Sequence, residues 1–217
     1  MSGALQAVFQ NQRSFVEPAP TVIGQAYAGG FYAGQIGVAG VATHYIVVGP
    51  VASGESTLQY KNANTAVPGA DSVIDGPQNT ADMVANGDAT VYPAAHFCND
   101  ASIGGFTDWY MPAKNELEVC YYNLKPTTTS NDTIYSGINT NAVPSRGSKY
   151  TAGTPAQTSA AAFKDTGVED FFLSPKQGSS TEFSATGYWL QDFNDGIQDH
   201  TNKVISLRVR CVRRLAI

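Results

Sequence analysis

Only one stretch of this chain carries a clean helical period; almost everywhere else Gly and Pro cut it into short runs. Residues 112–124 put Leu117, Cys120, Tyr121 and Leu124 on one face. Pro112 stands at the first turn, Glu116 near the positive end, and Lys125-Pro126 as the stop. With 21 Gly and 11 Pro in 217 residues, the remainder predicts short strands and long loops rather than a helical bundle. Two β-rich runs, 29–36 and 43–50, flank the glycines of 37–40 and read as a hairpin. A short strand is expected at 58–60, another at 188–193 running into the Asn194-Asp195-Gly196 turn, and a terminal strand at 203–213. Short helices are expected at 78–86 and 94–100, and one more begins at 158–163. The fold class is therefore α+β: a small, twisted, mostly antiparallel sheet with two or so short helices and long loops. Its end strands should pair near 27–48 and 203–213. Trp109, Leu117, Tyr121, Phe193 and Val209 should form the core.

Length allows one sizeable domain and an appendage. Residues 1–26 differ from the rest: Leu5, Val8, Phe9, Phe15, Val16, Val22 and Ile23 are apolar, while Pro18 and Pro20 break any long element. A short helix at 4–12 followed by an extended arm, used for attachment or oligomerisation, is the simplest reading. A strap along its own domain fits the same pattern. Residues 27–217 form the domain.

Charged residues are only 14% of the chain, against about 25% in ordinary domains, so part of the surface should be covered by copies of itself or by a partner. The net charge of −5 and the lack of a basic stripe disfavour nucleic acid. Arg208, Arg210, Arg213 and Arg214 alternate with Leu207, Val209 and Val212 as a two-faced strand, arginines on one side. The N-terminus reads as neither a signal peptide nor a membrane span. Cys98, Cys120 and Cys211 are read as buried free thiols, with a Cys98–Cys120 disulfide as the alternative.

Catalytic patterns are missing. No nucleophile elbow, zinc-protease helix, phosphate loop or Cys/His metal spacing occurs, and His44, His96 and His200 are isolated in sequence. Cys120 lies on the apolar helix face, where a thiol behaves as an inert hydrophobe.

Two constellations carry more weight. In Gly104-Gly105-Phe106-Thr107-Asp108-Trp109-Tyr110-Met111-Pro112, the glycines permit a tight turn, Asp108 can bond local backbone, and Trp109 anchors the corner ahead of Glu116. The second half gathers aromatic and polar groups: Tyr135, Asn139, Asn141, Arg146, Tyr150, Glu182, Tyr188, Trp189, Gln191, Asp192, Asn194, Asp195, Gln198 and Asp199. Such groups suit sugars and equally suit polar protein interfaces. The oxygen ligands Asp192, Asn194, Asp195 and Asp199 also admit Ca²⁺, though their spacing is not that of an EF-hand loop.

The segment 104–117 resembles the G-G-[YF]-[ST]-D-W-x-[LM]-P-x-x-x-E-L signature of a domain family found in bacterial surface proteins and phage tail fibres. That family is similar to the C-terminal domain of Legionella collagen-like adhesin and distantly to formylglycine-generating enzymes, all C-type-lectin-like. Leu124-Lys125-Pro126-Thr127-Thr128, Ser179-Ser180-Thr181-Glu182-Phe183-Ser184, the run 189–196 and the closing 209–214 resemble its phage branch. The resemblance covers roughly residues 27–217. Lys176-Gln177-Gly178 stand where the family usually carries an aromatic-Trp pair, and nothing matches the paired active-site cysteines of the formylglycine-generating enzymes.

The resemblance implies a C-type-lectin-like domain in a non-enzymatic phage virion protein without a cofactor: a fibre tip, a collar or neck fibre, or a capsid decoration. It would be assembled in the host cytoplasm, joined to other virion proteins through residues 1–26, and homo-oligomeric. It would present a surface to a host glycan, a receptor protein or a neighbouring virion protein. Tyr150, Glu182, Trp189, Asp192, Asn194 and Asp195 are the expected ligand-contacting residues. Asp108, Trp109, Pro112 and Glu116 are the expected structural motif. Rival readings are a formylglycine-type or glycan-modifying enzyme and a free carbohydrate-binding module.

Overall fold

A computed structural model describes residues 18–217. The expected helix at 4–12 lies outside the described residues. Among these the chain is α+β, with mostly antiparallel sheets and four α-helices. Instead of one small sheet there are two of five strands. The first runs β1 (Ala26–Tyr27), β2 (Gly30–Val38), β3 (Val41–Val48) and the last strand β10 (Val212–Ala216), with β5 (Ala142–Val143) against β2. The second runs β4 (Glu55–Gln59), β9 (Ser206–Arg210), β6 (Gln177–Glu182), β7 (Gly187–Gln191) and β8 (Gln198–Asn202). Helices α1 (Val51–Gly54), α2 (Gly76–Asn86), α3 (Pro93–Asn99) and α4 (Lys114–Leu124) follow, and the helix expected from 158–163 is a single 3-10 turn, Ala161–Phe163. The hairpin, the clear helix and both short helices fall where periodicity placed them.

The terminal strand is corrected. Residues 203–213 are not one strand, because the chain passes from one sheet to the other at Cys211. β9 pairs with β4, while β10 pairs with β3 from Val212↔Val48 to Ala216↔His44. Cys211 spans the crossing: its N–H donates to Gly54 O and its carbonyl accepts from Gly49 N. The arginines do not share one exposed face either. Arg210 and Arg213 are buried, because the crossing carries them inside, where Glu169 and Asp108 meet them.

The cysteines are corrected as well. Cys98, in α3, forms a disulfide with Cys211 across 113 residues, and Cys120 is the buried free thiol. Only the crossing between sheets brings Cys211 to α3, so spacing could not reveal the pair. Burial raises the Cys120 thiol pKa far above its ordinary value, which keeps it inert.

Two apolar clusters fill the interior. One holds Trp109 and Val209 with Tyr60, Met83 and Tyr188; the other holds Leu117, Tyr121 and Phe193 with Ile46 and Phe171. All five residues expected in the core are there. Leu117→Ala should cost about 2–5 kcal/mol as a core truncation. Urea denaturation reads this directly; a much smaller loss would contradict the packing of α4.

Glycine placement explains one corner. Gly29 and Gly104 both have positive φ, +84° and +63°, and a Cβ on Gly104 would fall 2.4 Å from Gly29 Cα. The two glycine pairs of the sequence therefore touch, and Trp109 packs under them. The described end of the arm, residues 18–26, lies along the domain. Pro20 is buried, Ile23 packs against both clusters, and Gly24 N–H donates to Tyr32 O at 2.8 Å.

Candidate binding groove

Alternation along β7 determines the site. Tyr188 and Leu190 are buried, so the side chain between them, Trp189, stands on the outer face. Register with β8 places His200 directly across from it. Phe183, just past β6, stacks on His200 at 3.8 Å and meets Trp189 edge-on at 5.0 Å. From α4, Lys114 lays its ammonium 4.0 Å from the centre of the Trp189 ring. The Lys114 backbone N–H donates to Thr181 Oγ1 at 2.9 Å, which ties the start of α4 to β6 and fixes that approach.

Beside this cluster opens a groove of about 540 Å³, walled by Trp189 and Tyr135 and floored by Ile197, with Lys114, Gln198, Asp199 and His200 as its polar lining. Tyr135 is 81% exposed and Phe183 44%, unusual for rings that only pack a core. Burial lowers the Lys114 pKa, with Glu118 opposing through its charge. An aromatic wall beside an amide, a carboxylate and an ammonium can seat a polar ring compound.

Of the six residues expected at a ligand, Trp189 is in the groove. Tyr150 is corrected: it is buried rather than on the surface. Its hydroxyl donates to Glu118 Oε1 at 2.7 Å and its ring packs on Tyr121. Glu182 Oε2 accepts from Lys203 Nζ and Val67 N–H, both at 2.6 Å, which is a joint between loops. Asp192, Asn194 and Asp195 build the turn between β7 and β8. Asp192 Oδ1 accepts from Asn194 N–H, Asp195 Oδ1 from Ile197 N–H, and Asn194 Oδ1 from Thr129 Oγ1. Gly196 closes that turn at φ +81°, where a Cβ would fall 2.5 Å from Tyr121 Cε1. The expectation of calcium falls on carboxylates occupied by their own turn, and no group of three or more His, Cys, Asp or Glu fit for a metal ion occurs among the described residues.

The structural motif holds together the corner that carries α4. Trp109 Nε1 donates to the Ile103 and Phe106 carbonyls, and Pro112 O accepts from Ser180 N–H at 2.8 Å. Glu116 is fully buried and joins two helix starts, accepting from Ala113 N–H, Gly76 N–H and the Tyr110 hydroxyl. Burial pushes its pKa up to about 7, opposed by the Ala113 and Tyr110 hydrogen bonds and by the Arg214 charge. Asp108 is corrected: it pairs with Arg213 through both oxygens, at 2.8 and 2.9 Å, rather than with local backbone.

Sequence reading missed Lys114, Phe183 and His200 as site residues. His200 looked isolated because β8 was not recognised. The only signal was the Asn-Asp-Gly turn, which implies a partner strand for β7 at 198–202. Neither a family model nor a curated protein matches the chain.

Proposed function

We propose that the chain is a non-enzymatic binding protein of a phage particle whose C-type-lectin-like domain presents the Trp189 groove to a host-surface glycan. The observation that carries this reading is the outward pair Trp189 and Tyr135 bordering an open groove with Gln198 and Asp199 at hand. Aromatic faces take the apolar side of a sugar ring, while planar amide and carboxylate groups bond its hydroxyls. The low charge content suits a surface that recognises through such groups and sits among other virion proteins. The part of the 1–26 arm that precedes the described residues would join it to those proteins, in several copies.

The test is retention of the purified chain on host-surface polysaccharide, with product analysis of the polymer afterwards. Trp189→Ala should lower affinity at least about tenfold, a loss of roughly 1.4 kcal/mol, while the melting temperature stays near that of the wild type. The polymer should be recovered uncut. Equal retention of wild type and Trp189→Ala would remove the groove from the account, and shortened polymer would make the chain an enzyme.

A further inference from the structure

The groove contains a cation that no carboxylate or carbonyl among the described residues contacts directly. Every other buried or half-buried lysine or arginine among the described residues has an oxygen partner. Lys61 and Lys125 meet carbonyls or an amide, and Lys176, Lys203, Arg146, Arg208, Arg210, Arg213 and Arg214 meet carboxylates. Lys114 is partly buried; among the described residues its ammonium makes no hydrogen bond or ion pair and lies over the Trp189 ring, with the Glu118 charge acting from farther off. Its place in the first turn of α4 adds to the anomaly, since a cation there opposes the helix dipole. Neither helix stability nor ion pairing accounts for it, and the ring contact offsets only part of the desolvation.

We infer that the groove selects acidic saccharides, with a carboxylate-bearing sugar ring against its aromatic walls and the carboxylate on the Lys114 ammonium. This rests on the reading of the groove as a glycan site. The nearby acids do not cancel the attraction. Glu118 is buried and already paired with Arg146, Tyr150 and Asn139. Asp199 on the rim accepts from His200 N–H at 2.8 Å, and its carboxylate lies 3.4 Å from His200 Nδ1. The overall charge of −5 is spread over the whole chain, and salt screens distant charges within about 8 Å, so the contact cation dominates.

The experiment measures affinity of the full chain for polygalacturonate, hyaluronan and alginate, each intact and after reduction of its carboxyl groups to alcohols. At least one intact polymer should bind about tenfold or more tighter than its reduced form. Lys114→Met keeps the aliphatic stem on Trp189 and should abolish that preference, whereas Lys114→Arg should restore it. Melting curves of both variants should overlay that of the wild type. Equal affinity for intact and reduced polymer, with binding still lost in Trp189→Ala, overturns the acidic preference and leaves the glycan reading standing. Binding to neutral polysaccharides alone does the same. Binding to no polysaccharide, acidic or neutral, overturns both.

Discussion

Arg210→Ala is expected to cost about 3–5 kcal/mol, because it leaves buried charge and buried carbonyls without a partner. The Arg210 side chain is fully buried. Its Nε donates to Gly49 O at 2.6 Å, Nη1 to the Glu169 and Asp170 carbonyls at 3.2 Å, and Nη2 pairs with Glu169 Oε2 at 2.6 Å. Glu55, also buried, lies 3.6 Å away, and its Oε2 has no hydrogen-bond partner among the described residues. Burial already raises the Glu55 pKa against the pull of Arg210 and Arg208, so losing Arg210 leaves the buried carboxyl with less to oppose its desolvation. The guanidinium also sits where β9 ends and the chain crosses between sheets, so its loss loosens both. Equilibrium unfolding in urea measures the effect. A cost below about 1 kcal/mol would mean that water reaches the cluster and that the crossing is not closed.

Trp109→Ala should be of similar size, about 3–5 kcal/mol, for a different reason. The ring is 2% exposed and packs beneath the glycine corner, while its Nε1 donates to the Ile103 and Phe106 carbonyls. Truncation opens a cavity and leaves both carbonyls without that donor. Trp109→Phe keeps an aromatic ring but loses the donor and part of the indole edge that packs on Gly30 and Gly49, so it should cost less, about 1–3 kcal/mol. The gap between the two substitutions measures how much of the packing a single ring retains. If both cost the same small amount, the corner does not carry α4.

The contrast between these two residues shows what the sequence makes legible. Trp109 is readable because its signals are local: glycines before it, a proline and a helix after it. The hairpin of β2 and β3 and the face of α4 are readable for the same reason, since their periods lie within one element. Arg210 is not readable, because an arginine in an alternating strand looks solvent-facing until both sides of the strand are covered. β6 is hidden by composition. Its Ser179, Ser180 and Thr181 are buried yet polar, made tolerable by bonds such as Ser179 Oγ to Trp189 O and Thr181 Oγ1 to Ser72 O. Tyr150 misleads in the opposite sense: its sequence neighbours are polar, but Glu118 and Tyr121 of α4 cover it.

The groove was legible only in part. Trp189 stood out as an aromatic in a short strand, but its direction depends on the burial of Tyr188 and Leu190. Lys114 and His200 reach it through contacts between elements far apart in sequence. The segments 139–150 and 182–199, which hold the expected ligand-contacting residues, contribute unequally. The first is tied down by Asn139 and Tyr150 on buried Glu118, while the second carries Phe183 and Trp189 to the surface.

The measurement that bears most directly on this account uses the chain's two tryptophans, one buried at Trp109 and one partly exposed at Trp189. Acrylamide quenching of their fluorescence, with and without host-surface polysaccharide, reads the accessibility of Trp189 against the silent background of Trp109. The account predicts that the quenchable part of the emission belongs to Trp189, disappears in Trp189→Phe, and is protected when polysaccharide binds. Polysaccharide binding that leaves Trp189 as quenchable as before would contradict it.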